Sequence, residues 1–346
     1  MLNSTATIAA RRDFAISRGL EFIYRTACIE ENFDSYGHDF LYCFHCITST
    51  SRNTKLVRRA RKMGRERARH WREKNFAVPT DADADAVACL VVGSYAADRL
   101  GVRDAALKQR LRSAAKLFDA SDFLGFDPAC EPPPSNVPDE CQCGEYNKRG
   151  RKTCRRCRRR LAMMSRYDVW LDAIIRSYVG ERFGVLLGAS LADVMKWLPA
   201  MRPYPRYNGG NDQDFYWAIY AVSHVVYTMN DYSRYRISPT CLPDEYRFLL
   251  RNLRKAILMD DPETVGEFLD TLKSFGLAED HPLMRDGIRF LLARQNSDGS
   301  WGDSEAEDIY CRYHPTWTAI DGLREYAWRG FCTRDLSQDC AIDTLN

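Results

Sequence analysis

Four cysteines place the tightest constraint on how this chain can fold. Cys141-Gln-Cys143-Gly144 is followed, with ten residues between Cys143 and Cys154, by Cys154-Arg-Arg-Cys157. Two close cysteine pairs joined by a short polar hairpin can surround one tetrahedral zinc with four thiolates. Gly144 and Gly150 give the hairpin turn freedom, and its spacer offers no core-forming side chains. A segment like this has nothing to fold around without a metal. Cys141, Cys143, Cys154 and Cys157 are therefore read as a structural Zn2+ site, closed to substrate because all four positions are taken.

The thirteen cysteines lie in a chain of 346 residues whose first residues lack the apolar core of a secretory signal. Reduced thiols and metal ligation fit this better than a disulfide framework. A cytoplasmic location is the corresponding expectation. No apolar run approaches the ~20 residues of a membrane span. The net charge of +3 conceals two basic concentrations. Residues 55–74 hold ten Lys or Arg against Glu66 and Glu73, and residues 148–160 hold nine with no acid. The second run makes nucleic acid or another phosphate-rich partner a candidate. Tyr146 is the only aromatic residue near it, so the interleaved stacking that grips single strands is missing.

The rest of the chain is patterned for helices. Ala6 to Lys74 carries helical apolar spacing with few breakers, and Thr80 or Asp81 is placed to cap a helix over Ala86 to Leu100. Prolines at 128, 132, 133, 134 and 138 make a stiff lead into the cysteines. Helical patterning resumes at Leu161, breaks in a loop through Asn208-Gly209-Gly210-Asn211, and continues as Phe215–Met229, Pro243–Leu258, Pro262–Phe275, Pro282–Arg294 and Pro315–Trp328. Ten to fourteen helices are expected. The parts are an N-terminal helical portion (1–125), a Pro-rich segment with the zinc ribbon (126–161) and a C-terminal helical portion (162–346).

The stretch Gly287, Phe290, Leu291, Gln295, Gly299, Trp301 resembles the QW repeat of squalene and terpenoid cyclases, with Asp286 where that repeat has a basic residue. Tyr313-His314-Pro315-Thr316 resembles the tyrosine–histidine–threonine segment of protein prenyltransferase β subunits, with Pro315 as an extra residue. The resemblance covers roughly residues 215–330. It implies a mainly α fold of the α/α-toroid type, with the ribbon inserted. It also implies that Gln295 and Trp301 tie one helix to the next, and that His314 is a metal-ligand candidate. The aspartate and cysteine ligands of the prenyltransferases are not identifiable here, and the Asp-x-Asp-Asp acid motif of the cyclases is absent.

In such a toroid the N-terminal ends of the inner helices converge on a cavity, which directs attention to two segments. One runs from His224 through Tyr227 to Asp231 and Tyr235; the other runs from Asp308 to His314. On a helix His224, Tyr227 and Asp231 share a face. His224 and His314 with Asp231 or Asp308 would make a two-histidine, one-carboxylate set for Zn2+ or Fe2+. His224 as a hydrogen-bonded core histidine is the competing reading. Asp231, Asp308 and Tyr313 are the candidate catalytic residues, and Trp217, Tyr227, Tyr313 and Trp317 the candidate aromatic lining. The leading expectation is a metal-dependent enzyme acting on a small terpenoid or natural-product-like substrate. The alternatives are a non-catalytic scaffold that binds nucleic acid or protein through the basic ribbon, and a metal-free, acid-initiated cyclase.

Overall fold

A computed structural model describes residues 2–145, 147–207 and 212–332, with backbone alone for residues 2–7. Tyr146 and the Asn208–Asn211 loop therefore lie outside the described residues. The fold is mainly helical. In chain order the helices are α1 (Leu2–Ala27), α2 (Glu30–Thr50), α3 (Thr54–Lys74), α4 (Ala84–Arg99), α5 (Ala105–Ala115), α6 (Ala120–Leu124) and α7 (Arg166–Phe183). They continue with α8 (Leu191–Met195), α9 (Leu198–Met201), α10 (Gln213–Met229), α11 (Pro243–Leu258), α12 (Pro262–Ser274), α13 (Pro282–Arg294) and α14 (Tyr310–Leu323). Among the described residues there are isolated β-bridges but no strand.

Two elements differ from the sequence expectation for a physical reason. Helix α14 starts at Tyr310, not Pro315, because Pro315 sits inside it and its missing N–H is tolerated. It stops at Leu323, where Arg324 turns extended, so Trp328 lies beyond it. Helix α4 is capped by Asp83, whose Oδ1 accepts from Ala86 N at 2.9 Å, and not by Thr80 or Asp81.

The division of the chain also differs from three consecutive parts. One compact unit comprises Met1–Phe76, Gly93–Asp104 and Val226–Asn346; the other comprises Ala77–Val92 and Ala105–Val225. The ribbon belongs to the second unit, together with α5 to α9 and most of α10. Its longest helix, α7, buries Trp170, Ile174 and Tyr178 and is capped at its start by Ser165.

The first unit is organised around α12. Asp261 caps it by accepting from Glu263 N (3.0 Å) and Thr264 N (3.3 Å), and Pro262 opens the first turn. From Thr264 to Ser274 every residue is buried. Helices α11, α13 and α14 pack on α12. Glycines permit the closest approach: a Cβ on Gly266 would stand 2.5 Å from the Thr318 carbonyl, and one on Gly322 2.8 Å from the Gly266 oxygen.

Burying α12 on all sides also buries charge. Lys273 donates to the carbonyls of Gly322 (2.6 Å) and Arg324 (3.0 Å), closing the end of α14. Arg324, 2% exposed, pairs with Asp321 at 2.6 Å and donates to Thr50 (2.9 Å) and Ser51 (3.1 Å). Burial and the neighbouring Asp321 push Asp270 up to about 7, and burial brings Lys273 down to about 8 despite Glu279. Removing one member of a buried pair strands the other. Arg324→Met should therefore cost about 3–5 kcal/mol in urea unfolding, and adding Asp321→Asn should recover much of it. Equal stability of wild type and Arg324→Met would show the network to be dispensable.

Candidate metal centre and candidate active site

The four cysteines come together as their spacing requires. Their sulfurs all lie within 4.8 Å of one another, with Cys141–Cys157 and Cys141–Cys143 at 3.5 Å and Cys143–Cys154 at 3.7 Å. A tetrahedron with metal–sulfur bonds of about 2.3 Å has edges of about 3.8 Å, so the donor set fits a metal ion held by four thiolates. The local backbone makes the fit. Gly144 N bonds Cys141 O at 2.7 Å, and Arg158 N bonds Cys154 O at 3.1 Å with Arg158 at φ 61°. Burial opposes charge on Cys154, yet the N–H groups of Cys157 and Arg156 lower its thiol to about 6. Among the described residues the hydrophobic side chains packed on the cysteines are Leu161 and Met163, so the module has little core besides them. Several of its basic residues are engaged at home: Arg149 with Glu131, Arg155 with Glu145 and Arg159 with Gln142.

The second expected metal site would draw its ligands from both units. Among the described residues the four cysteines are the one group that gathers three or more metal-type donors. His224 lies in the second unit, where its Nδ1 is 3.0 Å from the Tyr220 carbonyl; His314 lies in the first. Trp217, expected in the same lining as Trp317, also falls in the second unit, against Tyr216 and Tyr220.

His314 instead has a carboxylate partner. Its Nδ1 stands 3.0 Å from Glu263 Oε1, and the two side chains are mostly buried, 16% and 14% exposed. Burial works against the charged imidazole, but Glu263, with Glu267 and Asp39 behind it, outweighs burial and holds His314 at about 9. A raised pKa stabilises the fold fully below the ordinary value near 6.5 and loses that contribution as pH climbs through 9. The stability gap between wild type and His314→Gln should therefore narrow from pH 6.5 to 9. A gap independent of pH, read by denaturation at each pH, would contradict the ion pair.

Aromatic rings continue from this pair. Tyr310 stacks on His314 at 4.8 Å and 11°, and Trp317 meets His314 edge-on at 5.7 Å. Trp317 in turn packs on Tyr42, and Tyr42 on Tyr232. His45 completes the wall beside Tyr42 and Tyr95. Burial, with Arg99 and Arg234 nearby, lowers His45 to about 3, so it is a neutral histidine. The Trp317 indole N–H is buried and makes no hydrogen bond among the described residues.

The remaining candidates have defined places. Tyr313 is fully buried against Phe40, its hydroxyl donating to Asp39 at 2.8 Å, and burial keeps it protonated. Asp308 is exposed, caps α14 through Tyr310 N and accepts from Tyr36 at 2.9 Å. Asp231 pairs with Arg234 at 2.6 Å. With Tyr232 and Ser233 it forms three successive non-glycine residues at φ 57°, 50° and 62°. Left-handed residues of this kind cost about 1–3 kcal/mol each and concentrate at functional sites. Asn230 and Asp270 hold the turn through Ser233. Asp39 carries no signal in the sequence; Cys43, His45 and Cys46 are metal-type residues that a helix spreads over different faces, and Glu263 reads as part of a helix start. The available signal was the pair Glu263 and Glu267 at i, i+4 on a helix otherwise built to be buried.

The chain matches no family model, no curated protein and no solved structure.

Proposed function

We propose that the chain is an enzyme that transfers protons to and from a small organic molecule held in the aromatic-lined site of the first unit. The His314–Glu263 pair carries this reading. Glu263 lies 3.0 Å from Nδ1 as an ion-pair partner and Nε2 is left for a substrate, an arrangement suited to general acid–base work. Carboxylates outnumber cations around it, with Glu263, Glu267 and Asp39 acting on one imidazolium. Together with the faces of Tyr310, Trp317 and Tyr42, they favour a substrate that carries or develops positive charge. The Trp317 N–H remains to be offered to such a ligand. In this reading the four cysteines hold a structural zinc and take no part in the reaction.

The α/α-toroid arrangement belongs to the same proposal. Helices α2, α12 and α14 have largely buried sequences, whereas α3, α11 and α13 keep one exposed face. That alternation supports inner and outer layers. Glu263 sits in the first turn of α12 and His314 at the start of the second turn of α14, near the ends where inner helices of a toroid converge. Gln295 donates to Ala15 O and Gly299 O, and Trp301 donates to Leu291 O, tying α13 to its neighbours at the QW-like stretch.

The test is to incubate purified protein with a small-molecule extract and follow it by mass spectrometry. Wild type should consume a compound that His314→Gln leaves intact while retaining its fold. Conversion by His314→Gln at the wild-type rate would remove His314 from the chemistry.

A further inference from the structure

The basic helix α3 has no part in the site above. Its apolar side (Leu56, Ala60, Met63, Gly64, Ala68, Trp71) is buried, and Asn53 caps its start at Lys55 N and Leu56 N. Close packing fixes it: a Cβ on Gly64 would meet Phe44 at 2.8 Å, and Gly93 receives the Trp71 ring. The opposite side is a line of exposed cations, Lys55, Arg58, Lys62, Arg65, Arg69 and Arg72, at spacings that keep one helical face. At 1.5 Å per residue the line is about 25 Å long.

Several cations on this helix, Arg65 and Arg72 of the line among them, are neutralised or tied down. Arg59 pairs with Glu21, Arg72 with Asp104 and Lys74 with Glu30, and Arg65 donates to the Leu100 carbonyl. Lys55, Arg58, Arg61, Lys62 and Arg69 pair with no carboxylate among the described residues. At its N-terminal end the line opens into a groove of about 760 Å³ lined by Arg12, Arg52, Lys55 and Arg59; Arg12 pairs there with Glu279 and Glu325, Arg52 with Glu325 and Arg59 with Glu21, which leaves Lys55 as the uncompensated cation among these four.

We propose that α3 and this groove dock the phosphodiester backbone of a nucleic-acid duplex without reading its sequence. A straight, rigid row of guanidinium and ammonium groups matches the regular phosphates of a duplex. The outward face interleaves no aromatic ring with its charges, as single-strand binding requires. It also carries no exposed apolar side chain of the kind an amphipathic helix inserts into a lipid surface.

The test is fluorescence anisotropy of full-length protein with a short fluorescein-labelled DNA duplex across a salt series. Wild type should bind with a log–log salt slope of about −4, for four or five phosphate contacts. The variant R58A/R61A/K62A/R69A should bind about tenfold or more weakly, with a shallower slope. The charge-keeping variant R58K/R61K/R69K should bind as wild type does, and the single reversals R61E and R69E serve if the quadruple variant does not fold. The proposal is overturned if the quadruple variant binds like wild type. It is equally overturned if only K148A/K152A/R158A/R160A in the ribbon loses binding, or if wild type holds phosphatidylserine vesicles or nothing at all instead of the duplex.

Discussion

Stripping the protein with a strong chelator is expected to release one zinc per chain and to unfold the segment around residues 137–164. The physical basis is the poverty of that segment. Among the described residues its hydrophobic cluster is Cys141, Cys154 and Leu161, with Pro138 and Asn147 the other buried positions, its backbone pairing amounts to the bridges Thr153–Arg160 and Pro138–Met163, and its surface is strongly basic. With the proposed zinc in place, four thiolate–metal bonds would supply most of its folding free energy, which for structural zinc is about 10–16 kcal/mol at neutral pH. Cys154→Ser should act like the chelator, because Cys154 is the fully buried ligand and its lowered thiol is the most ready to ionise. Hydrogen exchange resolves the point. The Cys154 and Leu161 amides, bonded to Arg159 O and Lys152 O, should lose protection while α7 keeps its own. Unchanged protection in the metal-free protein would mean that the segment folds without a metal.

Gly266→Ala is expected to destabilise the first unit by about 3 kcal/mol, although the same change at an exposed helical site stabilises by about 1 kcal/mol. Packing decides the sign. The added methyl would lie 2.5 Å from the carbonyl carbon and oxygen of Thr318 and 2.8 Å from Ala319 N, and neither is a side chain that can turn away. Gly287→Ala is the control. Its new Cβ meets the tip of Leu269 at 2.9 Å, a flexible group that can shift, so its effect should stay within about 1 kcal/mol. Chemical denaturation of the two variants beside wild type gives the comparison. Equal effects would place the tight crossing of α12 and α14 elsewhere.

The helices were legible where proline or apolar spacing marks them: α11 and α13 begin at Pro243 and Pro282 and end at Leu258 and Arg294, as the pattern indicates. Pro315 misled because proline usually opens a helix, and nothing local says that this one lies in its second turn. The cysteine site was legible for a different reason: its four ligands are close in sequence, so spacing alone fixes their meeting. The candidate active site depends on contacts between distant segments. Glu263 reads locally as a helix-start acid, and only the packing of α12 on α14 brings it to His314. His45 looked scattered beside Cys43 and Cys46, yet the fold buries all three and turns the histidine toward Tyr42 and Tyr95. The two-unit division has no composition signal, since the chain changes unit within α4 and within α10.

In the proposed function the His314–Glu263 pair and its aromatic wall form a site for a substrate with cationic character. Calorimetric titration with benzyltriethylammonium tests it most directly. Wild type should bind it saturably, Trp317→Ala and Glu263→Gln should each weaken binding about tenfold, and His314→Gln should strengthen it by removing a like charge. Absence of saturable binding, or affinities that ignore all three substitutions, would contradict the account.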